Sequence, residues 1–222
     1  MSDYLATRDR VEHYFDRSAT KVWERLTSDA PVSRIRQTVR EGRDRMRATM
    51  LSRLPDDLTG ARVLDAGCGA GQMTAELAAR GAEVTAVDIS PALVEIARAR
   101  LPESHLSRVR FASGDMLADH HGRFDYVLAM DSMIYYSTLD IAQALDRLGA
   151  RTDRAVVFTV APRTPFLMTF WGLGQMFPRA DRSPTMVPHA FDRLNRATGN
   201  RLARVARVSR GFYISECLEF RP

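Results

Sequence analysis

Apolar positions recur along this chain with two periods, and the period changes near Gly60. Before that glycine, Ile35, Val39, Met46, Met50 and Leu54 fall at helical spacings behind a start signal at Asp29 and Pro31. The opposite face of this predicted helix carries Arg36, Arg40, Arg43 and Arg47. An earlier amphipathic segment holds Val11, Tyr14 and Phe15, then Val22, Trp23 and Leu26. After Gly60, short β-branched runs alternate with helical patterns. "ARVLDAG", "EVTAVDIS", "RVRFASGD", "FDYVLAM" and "AVVFTVA" read as five strands. "QMTAELAARG", closed by Gly81, "PALVEIARARL", opened by Pro91, and "TLDIAQALDRLGA" read as helices between them. Such βαβ alternation predicts a mostly parallel sheet with helices on both faces. The final "LARVARVSRGFYISECLEF" reads as two strands turned at Ser209-Arg210-Gly211, an antiparallel pair closing the sheet. Residues 163–188 fit neither period. They are broken by prolines and rich in large apolar groups, which predicts an insertion beside the fifth strand, over a pocket.

Composition narrows the class. The chain has 222 residues, 45% of them hydrophobic and 27% charged, enough apolar material for one domain with a real core. The start lacks the apolar run of a signal peptide, and no segment approaches a membrane span. Cys68 and Cys217 give neither a metal-ligand spacing nor a disulfide framework, and we expect a cytosolic, reduced protein with no metal of its own. The five histidines show no metal spacing either; His120 and His121 adjoin a glycine in an expected solvated loop, and surface positions are expected for His13 and His189. The formal charge is +5 and the sequence pI near 9.7, with Lys21 the single lysine. A basic surface serves nucleic acid, anionic lipid or an acidic small molecule. Simple solvation is the ordinary fate of any one arginine.

The candidate chemistry begins at "VLDAGCGAG". A strand followed by close-set glycines opening a helix brings bare backbone N–H groups up to a ligand. The dinucleotide spacing is G-x-G-x-x-G, but here Gly71 comes one residue early and Gln72 takes the usual place, which counts against nicotinamide and flavin. Asp88 closes the second strand, where a carboxylate can accept both hydroxyls of a ribose. Asp115 ends the third, where it could take an adenine amino proton while Met116 covers the ring. Asp65 ends the first, where a cationic ligand tail could rest.

With "AVDIS" and "SGDM", this stretch resembles the class I S-adenosylmethionine-dependent methyltransferases over about residues 58–162. The resemblance implies a Rossmann-like, seven-stranded, mostly parallel sheet with one antiparallel strand, helices on both faces and an N-terminal helical extension. It implies cofactor contacts from Asp65, Gly67, Cys68, Gly69, Gly71, Asp88, Ile89, Asp115, Met116 and Met130. It also sets expected boundaries: residues 1–57 as an extension able to act as a lid, and 58–222 as the methyltransferase domain. Nucleic-acid amino methyltransferases of this class carry an Asn/Asp-Pro-Pro-aromatic turn after the fourth strand; here "MDSMIYYS" has no proline, and no nucleic-acid partner is expected.

From about residue 11 to the C-terminus, "IRQTVREGR", "MDSMIYY", "APRTPFLMTFWGLGQMFP" and "RGFYISECLEF" resemble the magnesium-protoporphyrin IX methyltransferases of (bacterio)chlorophyll biosynthesis. That family esterifies one porphyrin propionate. The resemblance further implies the large porphyrin-binding subunit of magnesium chelatase as a partner. A flat apolar disc with two carboxylates needs aromatic walls and a cation. Phe166, Met168, Phe170, Trp171, Met176 and Phe177 could supply walls, and Arg163, Arg179 or Arg182 a guanidinium; equally, these aromatics could pack the insertion onto the sheet. Tyr14, Tyr135 and Tyr136 are the candidates for positioning the reacting groups. Relatives from oxygenic phototrophs carry a histidine at the place of Tyr135, so a histidine-based proton transfer is not expected here. The arginine-rich helix face could also meet anionic lipid, at the periphery of photosynthetic membranes. Two other readings stay open: another small-molecule O-methyltransferase, acting on a quinone precursor, and a non-catalytic S-adenosylmethionine-binding subunit of a pigment-synthesis assembly.

Overall fold

The computed structural model describes residues 2–14, 34–169 and 184–222. Within them, β1 (Arg62–Ala66), β2 (Glu83–Asp88), β3 (Val109–Ser113), β4 (Phe124–Ala129), β5 (Thr152–Val160), β6 (Leu202–Arg210) and β7 (Tyr213–Phe220) form one sheet in the order β3-β2-β1-β4-β5-β7-β6. Neighbours from β3 to β5 run parallel, and β7 runs antiparallel to both β5 and β6. This is the mostly parallel seven-stranded sheet the sequence predicts, with one strand reversed. The last hairpin turns at Gly211-Phe212, slightly later than expected, because β6 keeps pairing through Arg210.

Each strand splits its side chains between two cores, as a pleat requires. Leu64, Val127, Ala129, Val156 and Phe158 face one side, where they meet Ile141, Leu145 and Leu148 of an amphipathic helix, Thr138–Gly149. Val63, Leu128, Val157 and Cys217 face the other, against Met46 and Met50 of the helix Arg34–Leu51 and Leu77 of the helix Gln72–Ala79. We name the helices α1 (Ser2–Tyr14), α2 (Arg34–Leu51), α3 (Gln72–Ala79), α4 (Pro91–Arg100), α5 (Glu103–Leu106), α6 (Thr138–Gly149) and α7 (Phe191–Ala197). Two starts are written in the sequence. Ser90 accepts from the Leu93 N–H with Pro91 in the first turn of α4, and Ser137 forms a reciprocal capping box with Asp140 at α6. The short α5 and α7 have no sequence signal of comparable strength.

Helix α2 departs from its pattern at one end. Met46 and Met50 are fully buried, but Ile35, in the first turn, is 56% exposed. Its middle lies close to β7: a Cβ on Gly42 would come within 2.6 Å of the Tyr213 ring. That close approach sets where Arg43, the next residue, projects. The 163–188 insertion leaves β5 at the Pro162–His189 bridge, where the Arg163 N–H donates to the His189 carbonyl at 2.8 Å.

Candidate active site

The strand order reverses between β1 and β4, and in such sheets the crevice outside the carboxyl ends at that point binds ligands. Here a cleft enclosing about 1020 Å³, open solvent at its mouth included, lies there. Asp65, Gly67, Cys68, Gly69, Asp88, Ile89, Asp115, Met116 and Met130 all line it, together with Tyr135 and Tyr136.

The three glycines have different jobs. Gly67 (φ +88) runs under Ser132, whose Cβ would lie 2.4 Å from an added Cβ. Gly71 (φ +85) lies against Ala97 of α4, 2.9 Å from an added Cβ, and so serves helix packing; it is not among the cleft-lining residues. Gly69 has open space where a side chain would be, and its N–H donates to Asp88 Oδ2 at 2.8 Å. Asp88 Oδ1 accepts the Ser90 N–H at 3.0 Å, which fixes the carboxylate at the cleft wall. Asp65 is wholly buried and accepts from the Thr74 hydroxyl at 2.6 Å. Burial, aided by neighbouring Asp88, pushes its pKa up to about 7 against that hydrogen bond. An aqueous carboxyl would be ionised long before. Its negative form therefore awaits a positive partner.

At the far end, Asp115 Oδ1 accepts the Leu117 N–H and the Tyr4 hydroxyl, both at 2.8 Å, and Arg8 approaches Oδ2 at 3.5 Å. The Tyr4 ring stacks on Tyr136 with centroids 4.9 Å apart. Helix α1 thus forms a wall of the cleft through Tyr4, Arg8 and Val11, a contribution the sequence reading missed. Nothing in the periodicity of α1 marks Tyr4, because only tertiary packing brings it to Asp115.

The cleft's near end is built around Asp131, directly after Met130. It takes a left-handed backbone, φ 56, uncommon for a residue with a side chain. Its N–H donates to Thr159 Oγ1 at 2.8 Å, and its carboxylate accepts from Tyr213 at 3.1 Å and from Arg43. Tyr135 is half-buried beside this group. Burial, then Asp131, then Tyr14 raise its pKa far above that of an ordinary phenol, while Arg43 lowers it. Burial and Asp115 raise that of Tyr136 likewise. Both phenols stay protonated and can donate hydrogen bonds. Tyr14, the last residue of α1, is near enough to raise the Tyr135 pKa, but it does not line the cleft as Tyr135 and Tyr136 do.

The insertion's described candidates, Arg163, Phe166 and Met168, do not line the cleft. Arg163 is exposed and does not line the cleft, Phe166 is 44% exposed, and Phe170, Trp171, Met176, Phe177, Arg179 and Arg182 lie outside the described residues. The cleft-lining cations among the described residues are Arg8, Arg43 and Arg47. Two histidines differ from expectation. His121 is 6% exposed and bonded to the Asp115 carbonyl at 3.1 Å, and His189 is 3% exposed. A carbonyl can only accept, so His189 Nε2–H donates to the Tyr136 carbonyl at 3.1 Å, while Nδ1 accepts from Thr138 at 3.2 Å. Burial pushes its pKa down to about 4, and it serves as a neutral clasp on the loop after β4.

An open glycine backbone, a fixed acid at the ends of β2 and β3, two methionines and a buried acid for a cation fit S-adenosylmethionine. Comparison with known proteins agrees. A model of a general methyltransferase domain matches residues 63–152, and one described as the magnesium-protoporphyrin IX methyltransferase C-terminus matches residues 129–222. The chain is 63% identical to the magnesium-protoporphyrin O-methyltransferase of Rhodobacter capsulatus over 100% of its own length and 99% of that protein's. It is 29% identical to the Synechocystis enzyme of the same name over 94% of each chain. The crystal structure of the Synechocystis magnesium protoporphyrin IX methyltransferase with bound S-adenosylhomocysteine superposes with a TM-score of 0.80 at 28% identity, covering 96% of this chain and 99% of that one. This chain belongs to the magnesium-protoporphyrin IX methyltransferase family.

Proposed function

We propose that this protein moves a methyl group from S-adenosylmethionine to a propionate carboxylate of magnesium-protoporphyrin IX, giving the monomethyl ester and S-adenosylhomocysteine in (bacterio)chlorophyll biosynthesis. The observation that carries the reading is a juxtaposition. The cofactor cleft ends on Asp131 and Tyr135, with Tyr213 bonded to Asp131 outside the lining, and all three belong to the segment that the family's C-terminal model covers.

The cofactor supplies a methyl carbon made electrophilic by its sulfonium. The chain's residues hold the two partners in line and dry. Asp88 and Asp115 fix the nucleoside end, and Asp65 meets the positive tail. A propionate has a pKa near that of glutamate, about 4.3, and arrives already ionised, so no general base is needed. The phenols suit that, since they remain hydrogen-bond donors. Tyr135 and Tyr14 orient the carboxylate. An anion and a cation then combine into neutral products, a change favoured by excluding water. Orientation alone can supply roughly 7–11 kcal/mol in the best cases.

Within the extension at residues 1–57 beside the domain at 58–222, α1 fits a cover over the cleft, since Tyr4 reaches Asp115, whereas α2 packs Met46 and Met50 into the domain's core. The substrate's apolar disc favours direct delivery from the large porphyrin-binding subunit of magnesium chelatase over release into water. Among the described residues no helix is long and apolar enough to cross a membrane. For a cytoplasmic protein, the exposed Arg34 and Arg36 at the start of α2 favour peripheral attachment to photosynthetic membranes, which co-sedimentation with anionic vesicles tests.

An acceptor panel tests the function. Magnesium-protoporphyrin IX, metal-free protoporphyrin and a quinone-type acid are offered separately with S-adenosylmethionine, and the pigments are resolved by chromatography. Ester formation on the magnesium porphyrin is expected. Turnover of the quinone-type acid alone would favour another small-molecule O-methyltransferase. Binding of cofactor and porphyrin without S-adenosylhomocysteine would favour a silent subunit.

A further inference from the structure

We infer that Arg43 is the receptor for the propionate that is not methylated, and that this salt link makes the enzyme stop at the monoester. The inference rests on the porphyrin reading above.

Among the described residues three arginines line the cleft, and their settings differ. Arg8 bonds Asp9 and approaches Asp115, at the end away from the transfer. Arg47 pairs with Asp44 and approaches Glu76 of α3, the helix that the glycine loop opens. Arg43 lies at the other end, near enough to Tyr135 to influence its phenol. Its side chain is 17% exposed, so a ligand entering the cleft can touch it.

Its position is over-determined. The guanidinium donates through Nη1 to Asp131 Oδ2. Asp131 is in turn held by Tyr213 from β7 at 3.1 Å and by Thr159 from β5, which takes its N–H at 2.8 Å and returns a hydrogen bond to Oδ1 at 3.2 Å. Gly42 presses α2 onto the Tyr213 ring. A non-glycine residue kept at φ 56 beside a ligand cleft is strain of the kind that functional sites retain. Four elements thus aim one cation at the acceptor side. A guanidinium forks onto carboxylates, which is the chemistry a propionate offers.

The choice between the two propionates follows from reactivity. A guanidinium clamped on the attacking carboxylate would withdraw the electron density that attack on the methyl carbon needs. On the spectator carboxylate it costs nothing and orients the whole disc. A monoester turned round in the site would then place a neutral ester on Arg43, forfeiting the charge-assisted hydrogen bonds that the guanidinium, held by Asp131, offers a carboxylate. The second methylation is therefore disfavoured without any other proofreading.

Equilibrium titration and product analysis test this in wild type, Arg43→Met, Arg43→Lys and Asp131→Asn. Asn tolerates the left-handed backbone, so the last variant removes the anchor's charge while sparing the turn. Wild type should bind the diacid porphyrin about ten- to a hundredfold more tightly than its dimethyl ester, the usual worth of a charged hydrogen-bonded pair. Arg43→Met should lose that preference and raise KM by a similar factor, with affinity for the dimethyl ester and for S-adenosylmethionine unchanged. It should also accept monoester nearly as well as diacid and accumulate diester. Arg43→Lys should restore part of the preference, and Asp131→Asn should weaken it several-fold. Three results would overturn the inference: a wild type with no preference for the diacid, an Arg43→Met enzyme that still rejects the monoester, or a loss confined to S-adenosylmethionine binding, which would assign Arg43 to the cofactor's own carboxylate. Each leaves the function standing if wild type makes the ester. Absence of ester from wild type would instead remove the function itself.

Discussion

Tyr135 and Asp65 carry the residue-scale argument in opposite ways. Tyr135 is a phenol held protonated by burial, so it can position but not abstract. Tyr135→Phe should lower kcat about ten- to a thousandfold, comparable with the loss of one positioned donor, and leave S-adenosylmethionine affinity intact. Rate constants at saturating cofactor check this; unchanged kinetics would remove the hydroxyl from the site. Asp65 titrates near 7 in the folded protein. Its free-chain value is near 3.9, so the stability it lends is intact below about pH 4 and is lost as pH rises towards 7. A cationic cofactor reverses that cost by favouring the ionised form. S-adenosylmethionine should accordingly bind more tightly as pH rises from 5.5 to 7.5, and Asp65→Asn should bind weakly with a flat profile. Calorimetry across that range decides. Equal slopes in both proteins would mean that Asp65 does not meet the positive tail.

At the scale of elements, the loop after β4 is held by His189 and by the packing of α2 on β7, and each hold can be released. His189 stays neutral inside the fold down to about pH 4, whereas in the unfolded chain it charges near 6.5. Its contribution is therefore present above 6.5 and lost as pH falls from there towards 4. His189→Gln should flatten that portion of the stability profile in urea titrations and should lower activity by loosening Tyr136. The contact of α2 with β7 is the second hold. Gly42→Ala puts a methyl 2.6 Å from the Tyr213 ring, an overpacking worth about 1–3 kcal/mol, and a thermal melt should show the loss. These elements also show where sequence reading stops. The strands and their ends were legible because β-branched runs stop at glycines and acids on a regular beat, so Asp65, Asp88 and Asp115 stand out. Arg43 and Arg47 looked like a solvated helix face. The pattern gives the side of α2 that is polar, but only packing against Tyr213 says that this side borders a cleft. Asp131 could have been suspected, since it follows the fourth strand directly, yet its left-handed backbone leaves no mark in the sequence.

For the whole molecule, cofactor chemistry and acceptor choice come from different parts of the chain. The parallel half of the sheet, β3-β2-β1-β4, supplies the acids and the glycine loop. The acceptor end is assembled from α2, the loop after β4 and β7, with α1 closing the nucleoside end through Tyr4. Removing residues 1–14 should therefore leave the sheet folded by circular dichroism while weakening S-adenosylmethionine binding about tenfold or more, since Asp115 would lose both Tyr4 and Arg8; unaltered affinity would confine α1 to a structural role. The account as a whole is tested most directly by supplying methyl-labelled S-adenosylmethionine with magnesium-protoporphyrin IX and following the label. It predicts one alkali-labile label per porphyrin, on a propionate, matched mole for mole by S-adenosylhomocysteine. Label that stays on the cofactor, or that reaches the macrocycle outside its carboxylates, would contradict it.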